Sequence, residues 1–372
     1  MTSLINFSGK AFIFFIGLIC LIGPICLSSL TARGEDVKKL RIAVLPVENL
    51  SGTSAPLKEI KQSLIDRLKT QGLNILDDKV LEGFMVRHRM RYTGGIDIAI
   101  AEAFRKEIEA EAVLITSLEL YDAVYPPRIA LNARLVSTED KPVILWMDST
   151  GLAGDDSPGI LGLGLIEDPR ILLKKALQIL SVSLTEYLTD KGKGIFVQRK
   201  VRKKFHPKTF YRSPIINPET KYTIAVTPFF NRSERKNAGE IMVLHFVREL
   251  RKLDNFDVVE PGIQREELLR FRIIMEDGLS LANADLLFAT LNADLILTGI
   301  VLDYQDHQGT TGTPKVDFSV IVIDGKSREV VWTSKSYNEG DDGVFFFDRG
   351  RVNTAHAMTS EMVRAVVKMM VE

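Results

Sequence analysis

The sequence predicts a mixed α/β protein made of two tandem homologous domains, each with a mixed sheet and the element order βαβααβββα. Three observations carry this expectation. Ile42-Ala43-Val44-Leu45-Pro46 returns as Ile224-Ala225-Val226-Thr227-Pro228, and Asn49-Leu50-Ser51 returns as Asn231-Arg232-Ser233, both 182 positions on. Further along the offset becomes 186, so that Trp146 falls on Trp332 and Gly154-Asp155-Asp156 on Gly340-Asp341-Asp342. The hydrophobic period also alternates along each copy between the 2-residue spacing of strands and the 3.6-residue spacing of helices. Trp146 and Trp332 are the only tryptophans of the 372 residues, and both fall in an expected last strand as core aromatics.

In the first repeat, residues 39–188, an apolar strand over 41–46 ends at a proline and a polar turn. Ile60, Leu64, Ile65 and Leu68 then share one helical face. A short strand is expected over 73–76, helices over 79–89 and 96–109, and a strand over 112–120. A hairpin over 128–137 and 142–149 follows. The closing helix over 169–187 has Pro169 in its first turn, where a missing N–H costs little. The second repeat, 221–372, retraces this order: strand 222–227, helix 238–252, short strand 256–259, helix 281–291, strand 295–303, hairpin 316–323 and 330–337, closing helix 353–371. Asp324-Gly325 is a strong turn signal in that hairpin.

Residues 1–32 lie outside this pattern. From Ala11 to Leu30 the chain is almost unbroken apolar sequence after Lys10, which fits a cleaved signal peptide or an uncleaved inner-membrane anchor. Both cysteines, Cys20 and Cys26, lie inside it and follow isoleucines, unlike the small residue that precedes a lipidated cysteine. The rest of the chain can form neither disulfides nor a thiol site; for an exported protein this fits a bacterial envelope, periplasmic or envelope-associated, better than an animal secretory route.

Charge excludes one class of partner. With 48 basic and 48 acidic residues the chain is formally neutral, so no whole-protein attraction to nucleic acid is expected. The exception is local. Residues 189–220 read as a linker carrying Arg199, Lys200, Arg202, Lys203 and Lys204, with Phe205, Phe210 and Tyr211 nearby. Such a run is either a solvated spacer or a contact for anionic lipid or cell-wall polymer.

The motif Ile-Ala-Val-x-Pro-x-x-Asn-x-Ser, the strand Ala293-Asp294-Leu295-Ile296-Leu297-Thr298-Gly299 and a hairpin ending in Val330-Val331-Trp332 resemble one bacterial envelope domain. It is the α/β domain of TolB amino-terminal regions, CsgG-like curli-secretion proteins and lipoprotein activators of peptidoglycan synthases. The second repeat is the better match; the first has Glu111-Ala112-Val113 and Ser117 where the second has Ala293-Asp294-Leu295 and Gly299. The resemblance implies a non-enzymatic role in envelope assembly or secretion through contacts with other envelope proteins or with further copies. The hairpin turns near Asp140 and Gly325 are too tight for the long membrane hairpins of a pore.

Catalytic groupings are sparse. His88, His206, His245, His307 and His356 are scattered without metal-ligand spacing, and His245 and His356, on helices, are expected to pack or face solvent rather than ligate. No phosphate loop, dinucleotide fingerprint or nucleophile elbow is present. Asn49, Ser51, Asn231 and Ser233, between strand and helix, are expected to satisfy free amides of a turn or cap, with a small ligand at the strand ends as the alternative. Asp155, Asp156, Asp341 and Asp342 are weak candidates for a hard cation, because neighbouring carboxylates on an extended segment point apart. The apolar loops Ile160, Leu161, Leu163 and Phe345, Phe346, Phe347 are candidate interaction surfaces.

The expectation is a non-catalytic envelope scaffold or adaptor without cofactor. A periplasmic small-ligand-binding protein is the first alternative, and a cell-wall hydrolase using the paired aspartates the second.

Overall fold

A computed structural model describes residues 40–156, 164–190, 201–217, 219–273, 278–344 and 350–372. The first repeat runs β1 (Ile42–Val44), β2 (Glu48–Asn49), α1 (Leu57–Thr70), α2 (Asp78–Arg87), α3 (Ile98–Ile108), β3 (Ala112–Asp122), β4 (Arg128–Ser137), β5 (Ile144–Ala153) and α4 (Pro169–Thr189). A 3-10 turn (Lys203–Phe205) and β6 (Thr209–Arg212) lead into the second. This continues as β7 (Tyr222–Val226), β8 (Phe230–Asn231), α5 (Ala238–Leu250), β9 (Phe256–Val258), α6 (Pro261–Arg270), α7 (Leu281–Leu291), β10 (Leu295–Gln305), β11 (Lys315–Asp324), β12 (Val330–Glu339) and α8 (Ala355–Val371).

Both sheets are mixed, as the sequence predicts. The first has the order β1-β3-β4-β5 with β2 also on β3; the second has β6-β12-β11-β10-β7-β9 with β8 on β10. In each, the opening strand runs parallel to the long central one, at Ile42↔Ala112 and Leu295↔Ile224. The hairpin strands that follow are antiparallel. Each sheet also shifts register next to its tryptophan, beside Leu135↔Trp146 and Val322↔Trp332. Trp332 is fully buried and Trp146 nearly so.

Strand alternation divides side chains between the two faces of each sheet. In β1, Ile42 and Val44 pack with α1 and α4, while Ala43 and Leu45 point the other way. That second face meets Phe84 of α2, Phe104 of α3, and the helices α5 and α8 of the second repeat. Beyond them the same core continues into Val226, Leu297, Phe318 and Val320 of the second sheet. On its far side, Ala225, Ile296 and Ile323 pack with Ile263 of α6 and Leu287 of α7. The result is five layers, helix–sheet–helix–sheet–helix, in which the middle helices serve both sheets.

The central helix explains its own composition. Twelve of the thirteen residues of α5 are buried, His245, Arg248 and Glu249 among them. A helix covered on one face tolerates polar residues on the other; a helix covered on both must be apolar all round or pair every polar group. Phe246 stacks on Phe229 at 5.4 Å and meets Phe318 edge-on at 6.1 Å.

Two expectations change. Residues 73–76 contribute only a bridge, Ile42↔Ile75, held by Ile42 N donating to Asn74 O at 2.9 Å and Leu76 N to Ile42 O at 2.8 Å, with Leu73 and Leu76 buried on either side. The 189–220 segment is not only a spacer. Its Phe205 and Ile216 are buried, and β6 pairs antiparallel with β12 from Trp332↔Arg212 to Lys335↔Thr209. Phe205 and Ile216 give this stretch apolar anchors that an open linker lacks, while Phe210 and Tyr211 stay exposed.

A shared core predicts cooperative behaviour. Calorimetric unfolding of the region from residue 40 onward is expected as one transition, and Phe246→Ala should lower stability by about 3–5 kcal/mol without splitting it. Two separate melts, one sensitive to Phe246 and one not, would show that the repeats fold independently.

Candidate functional site at the seam between the repeats

The strand-end asparagines form two copies of one turn. Asn49 Oδ1 accepts from Ser51 N at 3.0 Å and Ser51 Oγ at 2.6 Å, while Nδ2 donates to Thr53 O at 2.8 Å. Asn231 does the same with Ser233 at 3.0 and 2.6 Å and with Arg235 O at 2.7 Å. Both side chains are therefore engaged within their own turns. Arg235 then reaches across the seam and donates to the carbonyls of Ser51, at 2.6 Å, and Glu119.

The paired aspartates close loops. Asp156 accepts from Ala153 N at 2.7 Å and Asn353 Nδ2 at 3.1 Å; Asp342 accepts from Glu339 N at 3.0 Å and Asn338 Nδ2 at 2.8 Å. Among the described residues neither pair joins a third ligand group. Of the basic run, Lys204 Nζ donates to Asp342 O at 2.5 Å and Gly350 O at 3.0 Å, and the Arg202 guanidinium lies 4.8 Å over the Phe205 ring. Lys203 falls in the 3-10 turn. Arg199 and Lys200, and the loop residues Ile160, Leu161, Leu163, Phe345, Phe346 and Phe347, lie outside the described residues.

The seam gathers polar groups that the sequence leaves far apart. Arg134 of β4 and Glu260, the N-cap of α6, form a fully buried two-point ion pair, Nε to Oε2 at 3.1 Å and Nη2 to Oε1 at 2.8 Å. The same guanidinium donates to Gly94 O at 2.6 Å. Beside it a cleft of about 300 Å³ is bounded by Glu48, Tyr92, Asn237 and Arg265. Arg265 sits 4.0 Å over the Tyr92 ring. Burial pushes the Glu48 carboxyl above the usual range despite its hydrogen bond from Ser117.

His245 and His356, which the sequence expects to be packed or solvent-facing, are both buried, and they are neighbours in space, with ring centroids 4.7 Å apart. They converge on Glu119 of β3, with one ligand atom from each residue within 4.8 Å of the others, all three buried. His356 Nδ1 and Glu119 Oε2 make a short hydrogen bond, and His245 Nε2 lies 3.4 Å from that oxygen. Burial pushes the His245 imidazole down to about 4. For Glu119 burial acts to raise the carboxyl, but the charges of His356 and His245 outweigh it and hold the group well below the carboxylate range. No local spacing announces this cluster, since 126 and 111 positions separate its members. The one signal was a histidine on an otherwise apolar helical face.

A groove of about 950 Å³ opens above this cluster. Its floor is β5 from Trp146 to Gly151, with Ile179, Ser183 and Tyr187 of α4 on one side and Arg248, Glu249 and Arg364 of α5 and α8 on the other. Among the described residues β5 pairs only with β4. Arg251 caps the start of its free edge, donating to Ile144 O at 2.7 Å and Leu145 O at 3.2 Å.

No protein-family model matches the sequence, and neither does any curated protein. Solved structures give partial likenesses. The PelC dodecamer from Paraburkholderia phytofirmans shares 16% identity at a TM-score of 0.29, covering 42% of this chain and 96% of that one. Lipoprotein GNA1162 from Neisseria meningitidis shares 20% at 0.28, covering 39% and 99%. The LpoB C-terminal domain from Salmonella enterica shares 16% at 0.26, covering 34% and 87%. Likenesses this distant carry no functional conclusion.

The groove wall makes stability depend on acid. Burial raises the Glu249 carboxyl, but Arg248 at 3.0 Å, Lys252 at 2.7 Å and Arg364 at 3.5 Å outweigh it and hold the group at about 2, below its ordinary 4.5. A folded-state value below the unfolded one means stability present above pH 4.5 and lost as pH falls toward 2. The contribution is up to about 3 kcal/mol. Urea midpoints from pH 6 to 2.5 should fall steeply in the parent and less steeply in Glu249→Gln; parallel slopes would remove Glu249 as the cause.

Proposed function

We propose that the protein is a non-catalytic adaptor of the bacterial envelope that receives an extended segment of a partner protein along the free edge of β5. One observation carries the reading: the second repeat holds the equivalent edge already filled. There β6 pairs with β12 at Trp332 to Lys335, and at the repeat offset those residues are Trp146 to Ser149 on β5. The positions matching β6 itself, 27–30, fall in the apolar leader.

A sheet edge offers a row of backbone donors and acceptors that another strand can satisfy, and flanking pockets select its side chains. The groove supplies both, with Trp146, Ile179 and Tyr187 as apolar lining and Asp148, Glu186 and Arg364 as charged rim. Placement in the envelope rests on the leader, on the cysteine-free remainder of the chain and on the resemblance of the strand motifs. No helix among the described residues is long and apolar enough to cross a membrane.

A photo-crosslinking amino acid at Ile179, in cells making the protein at native level, is expected to give one dominant adduct with another envelope protein. The same probe at Val86, 77% exposed on α2, should not give it. No adduct, the same adducts at both positions, or a crosslink only to the protein's own leader would each reject the reading.

The 300 Å³ cleft at Glu48 and Arg265 favours a second reading, a small polar ligand held between the repeats. A ligand panel should then raise the melting temperature in the parent and not in Arg265→Ala, since binding to the native state stabilises by mass action.

A further inference from the structure

We infer that Glu119, His245 and His356 form a binding site for one divalent transition-metal ion of the zinc class, which ties the first sheet to the middle helices.

The geometry of the second nitrogens points there. Ser360 Oγ donates to His356 O at 2.9 Å, so it accepts the Nδ1 proton of His245 at 3.3 Å. This assignment, taken from the hydrogen-bond network, leaves Nε2 of His245 with a bare lone pair. That lone pair faces a carboxylate oxygen at 3.4 Å and has no hydrogen-bond partner; Oε1 of Glu119 has none either. With the Nδ1 proton placed on Ser360, these two electron-rich groups repel in a buried interior unless a proton or a metal cation lies between them, and a divalent ion also satisfies Oε1.

The donor set suits such an ion. Two imidazole nitrogens and one carboxylate match the ligand chemistry of zinc and its neighbours, and leave a fourth position for solvent. Tetrahedral bonds of ~2.0–2.1 Å put donors roughly 3.3 Å apart. The three groups, already within 4.8 Å, need only small rotamer shifts.

An outer set of partners is built as metal sites build it. Each histidine offers one nitrogen to Glu119 and holds the other on a hydroxyl: His245 Nδ1 on Ser360, and His356 Nε2 on Ser149 Oγ at 3.1 Å. Space is reserved as well. A Cβ on Gly151 of β5 would meet the His356 ring at 2.5 Å, so only glycine lets the ring lie against the strand. Ser149, Gly151 and His356 line the groove, which gives the ion a path from solvent.

Among the described residues the site occurs once. At the repeat offsets the matching residues are Ser63, Val301 and Arg170, none of which can rebuild it. It is a property of the seam, and it stands whether or not the groove takes a partner strand.

The test is zinc binding by the full chain, stripped with a chelator, dialysed against Zn²⁺ and assayed by elemental analysis, with Co²⁺ absorption as a second readout. One equivalent is expected, with visible bands of tetrahedral cobalt. Glu119→Gln keeps the volume and the hydrogen bond to His356 yet should abolish stoichiometric binding, as should His245→Gln. Ser360→Ala, which touches no ligand atom of the proposed site, should weaken affinity about 10–100-fold. Circular dichroism of each variant separates loss of the site from loss of the fold. No stoichiometric binding by the parent, or binding unchanged in folded Glu119→Gln and His245→Gln, would overturn the inference.

Discussion

Burial of α5 on both sides is the constraint from which the rest of the molecule follows. A helix between two sheets has almost no solvent face, so its polar residues must find partners on the elements packed against it or on the helix itself. Glu249 gathers Arg248, Lys252 and Arg364, and His245 turns to Glu119 of the opposing sheet. Arg251, just past the helix, caps the edge of β5. Each of these contacts crosses or borders the seam, so pairing the buried polar groups also fixes how the repeats stack.

The two halves share their order of elements, and the seam makes them unlike. In both, the sheet carries an α1/α4-type pair on one face and an α2/α3-type pair on the other. Stacking merges the inner pair of the first repeat with the α5/α8 pair of the second. The second sheet gains β6 at its edge; among the described residues the first leaves β5 paired only with β4, above the Glu119 cluster. Asymmetry at an otherwise repeated position is where a duplicated protein can carry a role that neither half has alone.

Much of this was legible in the chain. The repeat offset, the strands at 128–137 and 295–303 (the latter running on to 305), the helix at 281–291 and the buried tryptophans follow from local periodicity, because side-chain spacing and turn chemistry act over a few residues. So does the Asn-x-Ser turn, whose hydrogen bonds span at most four positions. The bridge in place of a strand at 73–76 and the β6 edge strand were not legible, since each depends on which distant backbone lies alongside.

What the sequence alone determined is two mixed α/β halves carrying like motifs, with no spacing that announces catalysis. What only the tertiary structure decided is their joining: which helix faces are shared, which strand edge stays open, and that Glu119 meets His245 and His356. The physical reason is range. Propensity and hydrophobic period are set by neighbours in the chain, whereas the seam is set by which apolar faces lose most water by meeting, and that choice assigns partners to buried charges more than a hundred residues apart.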